Sequence, residues 1–567
     1  MMSGVILFFS SLFMGLVSAQ SASSRLVTIS QGPVRGYRIP NANIFAFYNI
    51  PYASVTERFK APSAPPTWTQ PFEAVDRGII CPQFEVGLYD LTKKTMQEDC
   101  LVVNVFVPDT DEDNLPVLVS VHGGAFQIGF GNSQSFLNLS EKNKVITVNF
   151  NYRLGILGFL CLGTKSAPGN AGLKDQVALL RWVKTNIAKF GGNPNDVTIS
   201  GCSAGSASID LLTTSTAAKG LFNRAIMDSG AGVGAFAVPV DPLGNAKITA
   251  RDFNVAEYEN INVLEEFYRN APVKTLTSRS FMGNRHTSVD FSPCVERETG
   301  EEIILSDAPF NSLSSGGGQS YPMIYGFADM EGIMRLPSFF RWVDEMNQDL
   351  SPFLPGDLYF ESEEQKRQVA QKVKEFYFGE EPVSLATASS YVDYFTDVMF
   401  AFPMLKAVKL RNENGNPIIY LYEYSFVDND FKIPYFNLSG ADHCTQTMAV
   451  RDEDESNITA EYRKIKAIMR EIWGNFIKTG NPVSETSSLP PWPIANAERS
   501  PHMSIGQVVE LKDSLLESRI RFWDEIYSQY YRIPAPPNVP GSSGQHGISY
   551  FVFICILLIS GYFNFYV

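Results

Sequence analysis

Apolar and polar positions along the chain follow a pattern of short buried strands separated by helices. The run at residues 116–121 is apolar except for Ser120, which is typical of a strand covered on both faces of a parallel sheet. Residues 173–190 show helical periodicity and end at two glycines. Further strands are predicted at residues 101–107, 145–150, 197–200, 224–227, 322–325 and 418–424. The alternation predicts an α/β fold with a large, mostly parallel central sheet flanked by helices.

The remaining segments complete this arrangement. Residues 25–37 predict an opening β-hairpin. Residues 230–322 and 332–415 are mainly helical or loop-like in pattern, and we expect them to form helical cap regions. Helices at residues 462–478 and 514–531 are predicted to close the domain.

The N-terminus carries an apolar segment that precedes the large domain, which we assign to residues 20–532. Residues 1–19 predict a signal peptide, because an apolar stretch leads to the small-residue sequence Val17-Ser18-Ala19. The segment departs from the usual pattern in having no Lys or Arg before the apolar stretch. We expect secretion, with a mature chain that starts near Gln20.

The C-terminus carries a second apolar segment. Residues 533–547 form a Pro/Gly/Ser-rich linker, and residues 548–567 form a hydrophobic tail. No Lys or Arg follows this tail, whereas a transmembrane helix usually has basic residues on its cytoplasmic side. Gly541, Ser542 and Ser543 therefore favour a GPI-attachment signal, with a transmembrane segment as the alternative. The expected location is secreted or on the extracellular face of the plasma membrane, held there by a lipid anchor or a span.

Composition narrows the possible partners. The net charge of −14 argues against nucleic acid, because the phosphates would be repelled. In a secreted protein the seven cysteines favour disulfides, and Asn138, Asn437 and Asn457 begin glycosylation sequons. The sequence contains no ligand spacing typical of a metal site, and we predict no cofactor.

A Gly-x-Ser-x-Gly motif at residues 201–205 directly follows a predicted strand and precedes a predicted helix. A sharp turn at this place strains one residue and exposes its side chain, while Gly201 and Gly205 lack the Cβ atoms that would clash. Ser203 is therefore predicted to be an exposed nucleophile at a helix N-terminus, as in an α/β-hydrolase fold.

A serine hydroxyl needs a base within hydrogen-bond reach at neutral pH. In hydrolases of this fold the base follows the serine in the chain, whereas His122 precedes it. His546 lies in the tail, and His286 and His502 are expected at the surface because their contexts are polar. His443, in a loop after the last parallel strand, remains as the candidate base.

The acid should lie between the serine and the histidine, at the end of a strand. Both Glu331 and Asp329 meet this condition, and their spacing does not separate them. Gly123 and Gly124 are predicted to supply backbone N–H donors to an oxyanion, because no side chain obstructs them. The N–H group of Ala204, directly after the nucleophile, is the third predicted donor.

With these motifs the chain resembles the type-B carboxylesterase/cholinesterase family from about residue 26 to residue 523. Further matching segments are residues 98–101, 104–105, 151–155, 169–176, 190–194 and 219–222. The resemblance implies an α/β-hydrolase fold and makes residues 20–532 a type-B carboxylesterase catalytic domain. It implies the same nucleophile, base and oxyanion donors, and it selects Glu331 as the acid because the family's acid directly precedes a glycine. It also implies a Cys81–Cys100 disulfide.

Several positions depart from the family pattern. Cys202 replaces the usual acidic residue before the serine, and Cys444 replaces the usual glycine after the histidine. Because these cysteines flank a nucleophile and its base, we expect either a Cys202–Cys444 disulfide or two buried thiols. The loop at residues 82–99 lacks the Trp that binds a cationic headgroup, which disfavours choline esters. Thr287 and Val289 stand where cholinesterases place aromatic residues, which implies a wider acyl pocket.

These features predict a serine carboxylesterase that hydrolyses uncharged carboxylic esters through an acyl-enzyme. Its expected partner is a small-molecule ester. The alternative is a cholinesterase-like cell-surface adhesion or binding protein with little or no activity, since some members of the family have lost catalytic residues. The complete set of candidate residues favours the enzyme.

Overall fold

A computed structural model describes residues 23–539, except residues 88, 280–283, 317–319, 416–417, 429–431, 453–454 and 456–457. The predicted signal peptide and hydrophobic tail therefore lie outside the described residues, as does most of the linker. No helix within the described ranges combines the length and the apolar character needed to cross a bilayer.

One large sheet forms the centre of the protein, and thirteen of its strands lie within the described residues. The described residues contain fifteen strands in all: β1 (Ser24–Ile29), β2 (Gly32–Arg38), β3 (Ile44–Pro51), β4 (Phe72–Glu73), β5 (Ile79–Ile80), β6 (Thr95–Met96), β7 (Val102–Pro108), β8 (Leu115–Val121), β9 (Ile146–Phe150), β10 (Gly192–Cys202), β11 (Arg224–Asp228), β12 (Met323–Ala328), β13 (Ile419–Tyr424), β14 (His502–Ile505) and β15 (Val509–Lys512). The short strands β5 and β6 pair separately, and β4 pairs with β2.

The sheet is parallel at its centre and antiparallel at its edges. The strand order is β1-β2-β3-β7-β9-β8-β10-β11-β12-β13-β14-β15, and neighbours from β9 to β14 pair in parallel. The strands from β1 to β9 along this order pair antiparallel, as β14 and β15 do. The predicted α/β fold is confirmed, and the antiparallel edges make the sheet a mixed one.

Helices cover the sheet and occupy the two predicted cap regions. They are α1 (Leu137–Asn143), α2 (Gly155–Phe159), α3 (Ala171–Asn186), α4 (Ala204–Thr214), α5 (Pro242–Asp252), α6 (Ile261–Asn270), α7 (Val273–Leu276), α8 (Pro309–Ser314), α9 (Phe339–Gln348), α10 (Glu363–Phe378), α11 (Ala388–Thr396), α12 (Phe402–Asn414), α13 (Thr445–Val450), α14 (Ala460–Thr479) and α15 (Glu517–Tyr530). A 3₁₀ helix at Glu331–Ser338 follows β12.

The parallel strands place several chain segments at one edge of the sheet. The strands β8, β10, β11 and β12 point the same way, so their carboxyl ends share an edge. Sites in open α/β sheets lie outside such carboxyl ends. The segments that carry His122, Ser203 and Glu331 therefore begin at this edge.

Two histidines that were expected at the surface are not freely exposed. His286 is half-buried, and its Nδ1 atom is buried. The difference is larger for the second histidine. His502 was expected at the surface, but it begins β14 and is 3% exposed. Its Nδ1 atom lies 2.6 Å from the Asp513 carbonyl oxygen, and burial lowers its pKa. The polar residues around His502 gave no sign of a strand in the sequence. This segment is buried because it pairs with β13, and not because its own residues are apolar.

Candidate active site

The Gly-x-Ser-x-Gly motif forms a sharp turn between β10 and α4. Ser203 lies between the last strand residue, Cys202, and the first helical residue, Ala204. Its φ of 61° and ψ of −126° are rare for a residue with a side chain. The Ser203 N–H group donates to the Asp228 carbonyl oxygen at 2.9 Å, so β11 holds the strained residue in place. Such local strain is characteristic of functional positions.

Two glycines are required at this turn because chain segments approach each other too closely for a side chain. A Cβ atom on Gly201 would lie 2.6 Å from the Gly205 carbonyl carbon. A Cβ atom on Gly205 would lie 2.3 Å from the Val121 carbonyl oxygen at the end of β8. A larger residue at either position would have to displace the nucleophile turn from the sheet.

The loop after β8 brings the predicted oxyanion donors to Ser203. A Cβ atom on Gly123 would lie 3.0 Å from the Ser203 Cβ atom, and Gly124 has a φ of 112° that other residues rarely adopt. Within the described part of the chain, the N–H groups of Gly123 and Gly124 donate no hydrogen bond. The Ala204 N–H group has no partner within its own helix, because it belongs to the first residue of α4.

His122, at the start of this loop, is held by contacts with Tyr152. Its ring stacks on Tyr152 with a centroid separation of 4.3 Å, and the Tyr152 hydroxyl donates to the His122 carbonyl oxygen at 2.8 Å. Burial lowers the pKa of His122 to about 4, so the ring is neutral at pH 7. His122 therefore adds no charge beside the glycines.

Glu331 and His443 meet although 112 positions separate them in the sequence. The His443 Nδ1 atom lies 2.5 Å from Glu331 Oε2, and its ring lies over Phe400 with centroids 4.3 Å apart. Asp329 instead accepts a hydrogen bond from the Ala441 N–H group at 2.8 Å, and burial raises its pKa to about 7. The geometry therefore pairs the imidazole with Glu331 and not with Asp329.

Further hydrogen bonds hold the Glu331 carboxylate, which is completely buried. Its Oε1 atom accepts from the Ser229 hydroxyl at 2.5 Å and from the Ala328 N–H group at 2.7 Å. The Ser229 oxygen also accepts from the Gln446 side-chain amide at 2.5 Å. Sequence reasoning missed Ser229 and Gln446, because neither belongs to a motif. The available signal was the place of Ser229, two residues after the predicted strand at residues 224–227.

A disulfide connects the neighbours of Ser203 and His443. Cys202 and Cys444 are bonded, with Cα atoms 6.1 Å apart, and both sulfurs lie within 4.8 Å of a His443 ring nitrogen. No hydrogen bond joins the Ser203 hydroxyl to the His443 ring in the described structure, and catalytic hydrogen bonds are often long before substrate binds. The disulfide therefore joins the nucleophile turn (residues 201–205) directly to the histidine loop (residues 425–444).

Two other disulfides stabilise the fold. Cys81 and Cys100 are bonded with Cα atoms 5.0 Å apart, as the family resemblance implies. Cys161 and Cys294 form a bridge across 133 positions, which the sequence analysis did not predict. Both bridges are buried.

The two described sequon asparagines are exposed at the surface. The Asn138 side-chain amide donates to Asp452 Oδ1 at 2.9 Å, and Asn437 lies in the loop before His443. Asn457 lies outside the described residues. Glycosylation requires access to the amide nitrogen; Asn437 is exposed, whereas the Asn138 amide nitrogen is engaged by Asp452.

The chain is similar to carboxylesterases both in sequence and in structure. A family model described as "Carboxylesterase family" matches residues 23–523. Esterase FE4 of Myzus persicae is 32% identical over 508 residues, which cover 84% of this chain and 88% of that protein. The crystal structure of juvenile hormone esterase from Manduca sexta, with OTFP covalently attached, has a TM-score of 0.78 and 29% identity. It covers 89% of this chain and 100% of that one.

A more distant similarity extends beyond proteins named as esterases. Neuroligin-3 of Mus musculus is 25% identical over 597 residues, which cover 92% of this chain and 71% of that protein.

Proposed function

The chain belongs to the carboxylesterase family, and from this premise we propose that it is a serine carboxylesterase that cleaves uncharged carboxylic esters through an acyl-enzyme. In this proposal Ser203 attacks the ester carbonyl carbon, and His443 accepts the proton of the hydroxyl. The protonated imidazole then passes a proton to the leaving alcohol, and water hydrolyses the acyl-enzyme by the same route.

Glu331 orients the imidazole in this mechanism. A carboxylate at the His443 Nδ1 atom holds the proton on that nitrogen, so the other ring nitrogen can act as the base. The carboxylate also stabilises the imidazolium that forms after proton transfer. The donors from Ser229 and Ala328 hold the carboxylate and keep its charge solvated inside the protein.

The observation that carries the proposal is the combination of a strained serine with uncommitted N–H donors beside it. Negative charge develops on the carbonyl oxygen during attack, and donors in place before the reaction stabilise it. The Gly123, Gly124 and Ala204 N–H groups supply three such donors. A protein that only binds a partner has no need for these donors together with a buried Glu–His pair.

Secretion and membrane attachment form part of the same proposal. Three disulfides support folding in an oxidising compartment. The predicted signal peptide and tail suit a protein held on the outer face of a membrane by a lipid at Gly541, Ser542 or Ser543. Release from expressing cells by a phosphatidylinositol-specific phospholipase tests this, because a transmembrane protein would resist that enzyme.

Purified protein should hydrolyse p-nitrophenyl esters, and Ser203→Ala and His443→Ala should each abolish turnover while leaving the protein folded. Residual acceleration of ~10³–10⁴-fold over water is expected from the oxyanion donors and binding. Circular dichroism and thermal melting serve as controls for folding. Wild-type turnover by Ser203→Ala would refute the mechanism.

The second candidate is a cell-surface binding protein with little or no activity, which the distant similarity to neuroligin-3 supports. This candidate predicts no measurable turnover across a p-nitrophenyl ester series of varied acyl length. It also predicts that covalent labelling of Ser203 by an organophosphate fails.

A further inference from the structure

Four residues near the carboxyl ends of the central strands form a row across the sheet. Cys202 on β10 pairs in register with Asp228 on β11. Asp228 pairs in turn with Gly326 on β12, which pairs with Tyr422 on β13. Successive side chains of a strand alternate between the two faces of a sheet, so residues that pair in register share a face. The side chains of Cys202, Asp228 and Tyr422 therefore lie on one face.

Gly326 leaves room for the Tyr422 side chain to cross β12. A Cβ atom on Gly326 would lie 1.9 Å from Tyr422 Cε1. The Tyr422 hydroxyl, which starts from β13, donates to Asp228 Oδ1 on β11 at 2.6 Å. The side chain therefore reaches across a whole strand, and a larger residue at position 326 would block it.

The other oxygen of the Asp228 carboxylate is bonded to the helix that follows His443. Thr447, in the first turn of α13, donates from its hydroxyl to Asp228 Oδ2 at 2.6 Å. Asp228 is completely buried, and Thr447 is nearly so. Burial raises the pKa of Asp228 to about 7, and the charged group that perturbs it is the Glu331 carboxylate, not a cation. The two hydroxyl donors therefore stabilise its ionised form.

Residues 444–447, which directly follow His443, are fixed at three points. The three side-chain contacts join them to residues where β10 and β11 end: Cys444 to Cys202, Gln446 to Ser229 and Thr447 to Asp228. A disulfide alone attaches the segment at one point, about which it can still pivot. Thr447 lies three residues after Cys444, about 4.5 Å along a helix axis at ~1.5 Å per residue, so its bond to Asp228 opposes that rotation.

Asp228 also contacts the nucleophile turn. Its carbonyl oxygen accepts from the Ser203 N–H group at 2.9 Å. Asp228 is thus bonded through its main chain to the nucleophile and through its side chain to the helix after the base. The Ser203 hydroxyl and the His443 ring share no hydrogen bond in the described structure, so their relative position depends on such indirect connections.

We propose that Asp228 is a positioning residue, which sets the place of His443 relative to Ser203 through its hydrogen bond with Thr447. This inference rests on the proposed esterase function and adds to it a residue outside the Glu–His pair. Asp228 acts through α13 and not on the reacting atoms. Without the bond, α13 turns about its attachment at Cys444 and moves the imidazole away from the nucleophile.

The test compares Thr447→Val, which removes the hydroxyl at nearly the same shape, with Thr447→Ser, which keeps it. A displacement of about 1 Å between reacting groups can cost ~10²-fold in rate. For p-nitrophenyl butyrate, Thr447→Val should lower kcat by about 10- to 100-fold and change KM by less than about twofold. Thr447→Ser should keep kcat within about threefold of the wild-type value.

A double-mutant cycle assigns the effect to the bond with Asp228. Asp228→Ala removes the acceptor and should lower kcat as Thr447→Val does, and it serves as the second variant if Thr447→Val fails to fold. Asp228→Asn should retain more kcat than Asp228→Ala, because its amide can still bond to the Thr447 hydroxyl. Asp228→Ala with Thr447→Val should lower kcat no further than the larger single effect, whereas independent effects would multiply.

Tyr527→Phe is the matched control, because it also removes a hydroxyl donor from a buried carboxylate. The Tyr527 hydroxyl donates to Asp357 Oδ1 at 3.0 Å, and burial raises the pKa of Asp357 to about 7. None of the hydrogen bonds of Asp357 in the described structure involves a residue of the candidate site. This variant should lower Tm about as much as Thr447→Val does and leave kcat near the wild-type value.

Wild-type kcat in Thr447→Val would overturn the inference alone, provided that the wild-type protein hydrolyses the ester. An equal fall of kcat in Tyr527→Phe, a fall in Thr447→Ser as large as in Thr447→Val, or multiplied effects in the double variant would also overturn it. If the wild-type protein does not hydrolyse p-nitrophenyl esters, the proposed esterase function fails and the inference fails with it.

Discussion

The Cys202–Cys444 disulfide offers the sharpest test of how the candidate site is held together. The bond spans 242 positions and joins the residue before Ser203 to the residue after His443. The histidine loop, from Ser425 to Cys444, contains no α-helix, and no strand beyond an isolated bridge, among its described residues. Removing the bond with Cys202→Ser and Cys444→Ser together should therefore release this loop from the nucleophile turn.

The expected loss of stability follows from the length of the closed loop. A chain-entropy treatment gives about 5 kcal/mol for a loop of this length, and removal of native disulfides typically costs roughly 2–5 kcal/mol. With an unfolding entropy of about 2 cal/mol/K per residue over the described chain, this corresponds to a Tm lower by roughly 2–5 °C. The double variant should remain folded at 25 °C.

The double variant should lose much of its activity at 25 °C even though it remains folded at that temperature. Without the bond, the Glu331 contact and the Asp329–Ala441 hydrogen bond still hold the histidine loop. A displacement of about 1 Å between reacting groups can cost ~10²-fold in rate. We expect kcat for p-nitrophenyl butyrate to fall by about 10- to 100-fold, with KM changed much less.

A matched control distinguishes an effect on the position of the catalytic residues from an effect on the stability of the whole protein. Cys161→Ser with Cys294→Ser removes a buried bridge of similar kind that touches neither Ser203 nor His443. This control should lower Tm by a comparable amount and leave kcat near the wild-type value at 25 °C. An equal fall of kcat in both double variants, or no fall in the Cys202/Cys444 variant, would refute the positioning role.

Three further outcomes are expected. Gly123→Ala should lower kcat at least tenfold and should also lower Tm, since its Cβ atom would lie 2.5 Å from the Cys202 carbonyl oxygen and the backbone would have to shift; equal kcat values would contradict this. Glu331→Gln should lower kcat by ~10³–10⁴-fold, because it removes the charge of the carboxylate that orients the catalytic histidine. Asp329→Asn should lower kcat by less than about tenfold. If steady-state kinetics gave the reverse order, Asp329 would be the acid. Burial raises the pKa of Asp357 to about 7. Between about pH 4 and pH 7 the folded state therefore binds more protons than the unfolded state. The free energy of unfolding falls as pH rises through this range. Asp357→Asn should therefore raise Tm more at pH 8 than at pH 5, and equal gains in thermal melts would show that the carboxyl is not responsible.

The local motifs could be predicted from the sequence because their structure depends on residues close together in the chain. The parallel strands β8 to β13, the turn at Ser203 and the glycines beside it follow from short apolar runs and from the absence of Cβ atoms, whereas β14, which begins at His502, was not predicted. Gly201 and Gly205 are needed by any turn of this kind, whatever surrounds it. The order of serine and base along the chain, together with polar surroundings, selected His443 among five histidines, although the surface position expected for His502 was wrong.

The pairing of distant segments was decided by the tertiary structure. Glu331 and Asp329 are equivalent in spacing, and only the path of the histidine loop brings Glu331 to the imidazole and Asp329 to Ala441. The Cys202–Cys444 bond was one of two open alternatives for the same reason. The Cys161–Cys294 bridge, the burial of His502 and the contact of Gln446 with Ser229 had no local signal.

The physical reason lies in the range of the interactions. A backbone conformation is selected by steric contacts within a few residues, so composition and spacing are enough to anticipate it. A hydrogen bond or disulfide between segments more than 100 positions apart forms only when packing of the whole sheet places the two atoms within about 3 Å. The sequence by itself therefore determined which groups are available for chemistry, and the packed sheet decided which of them meet.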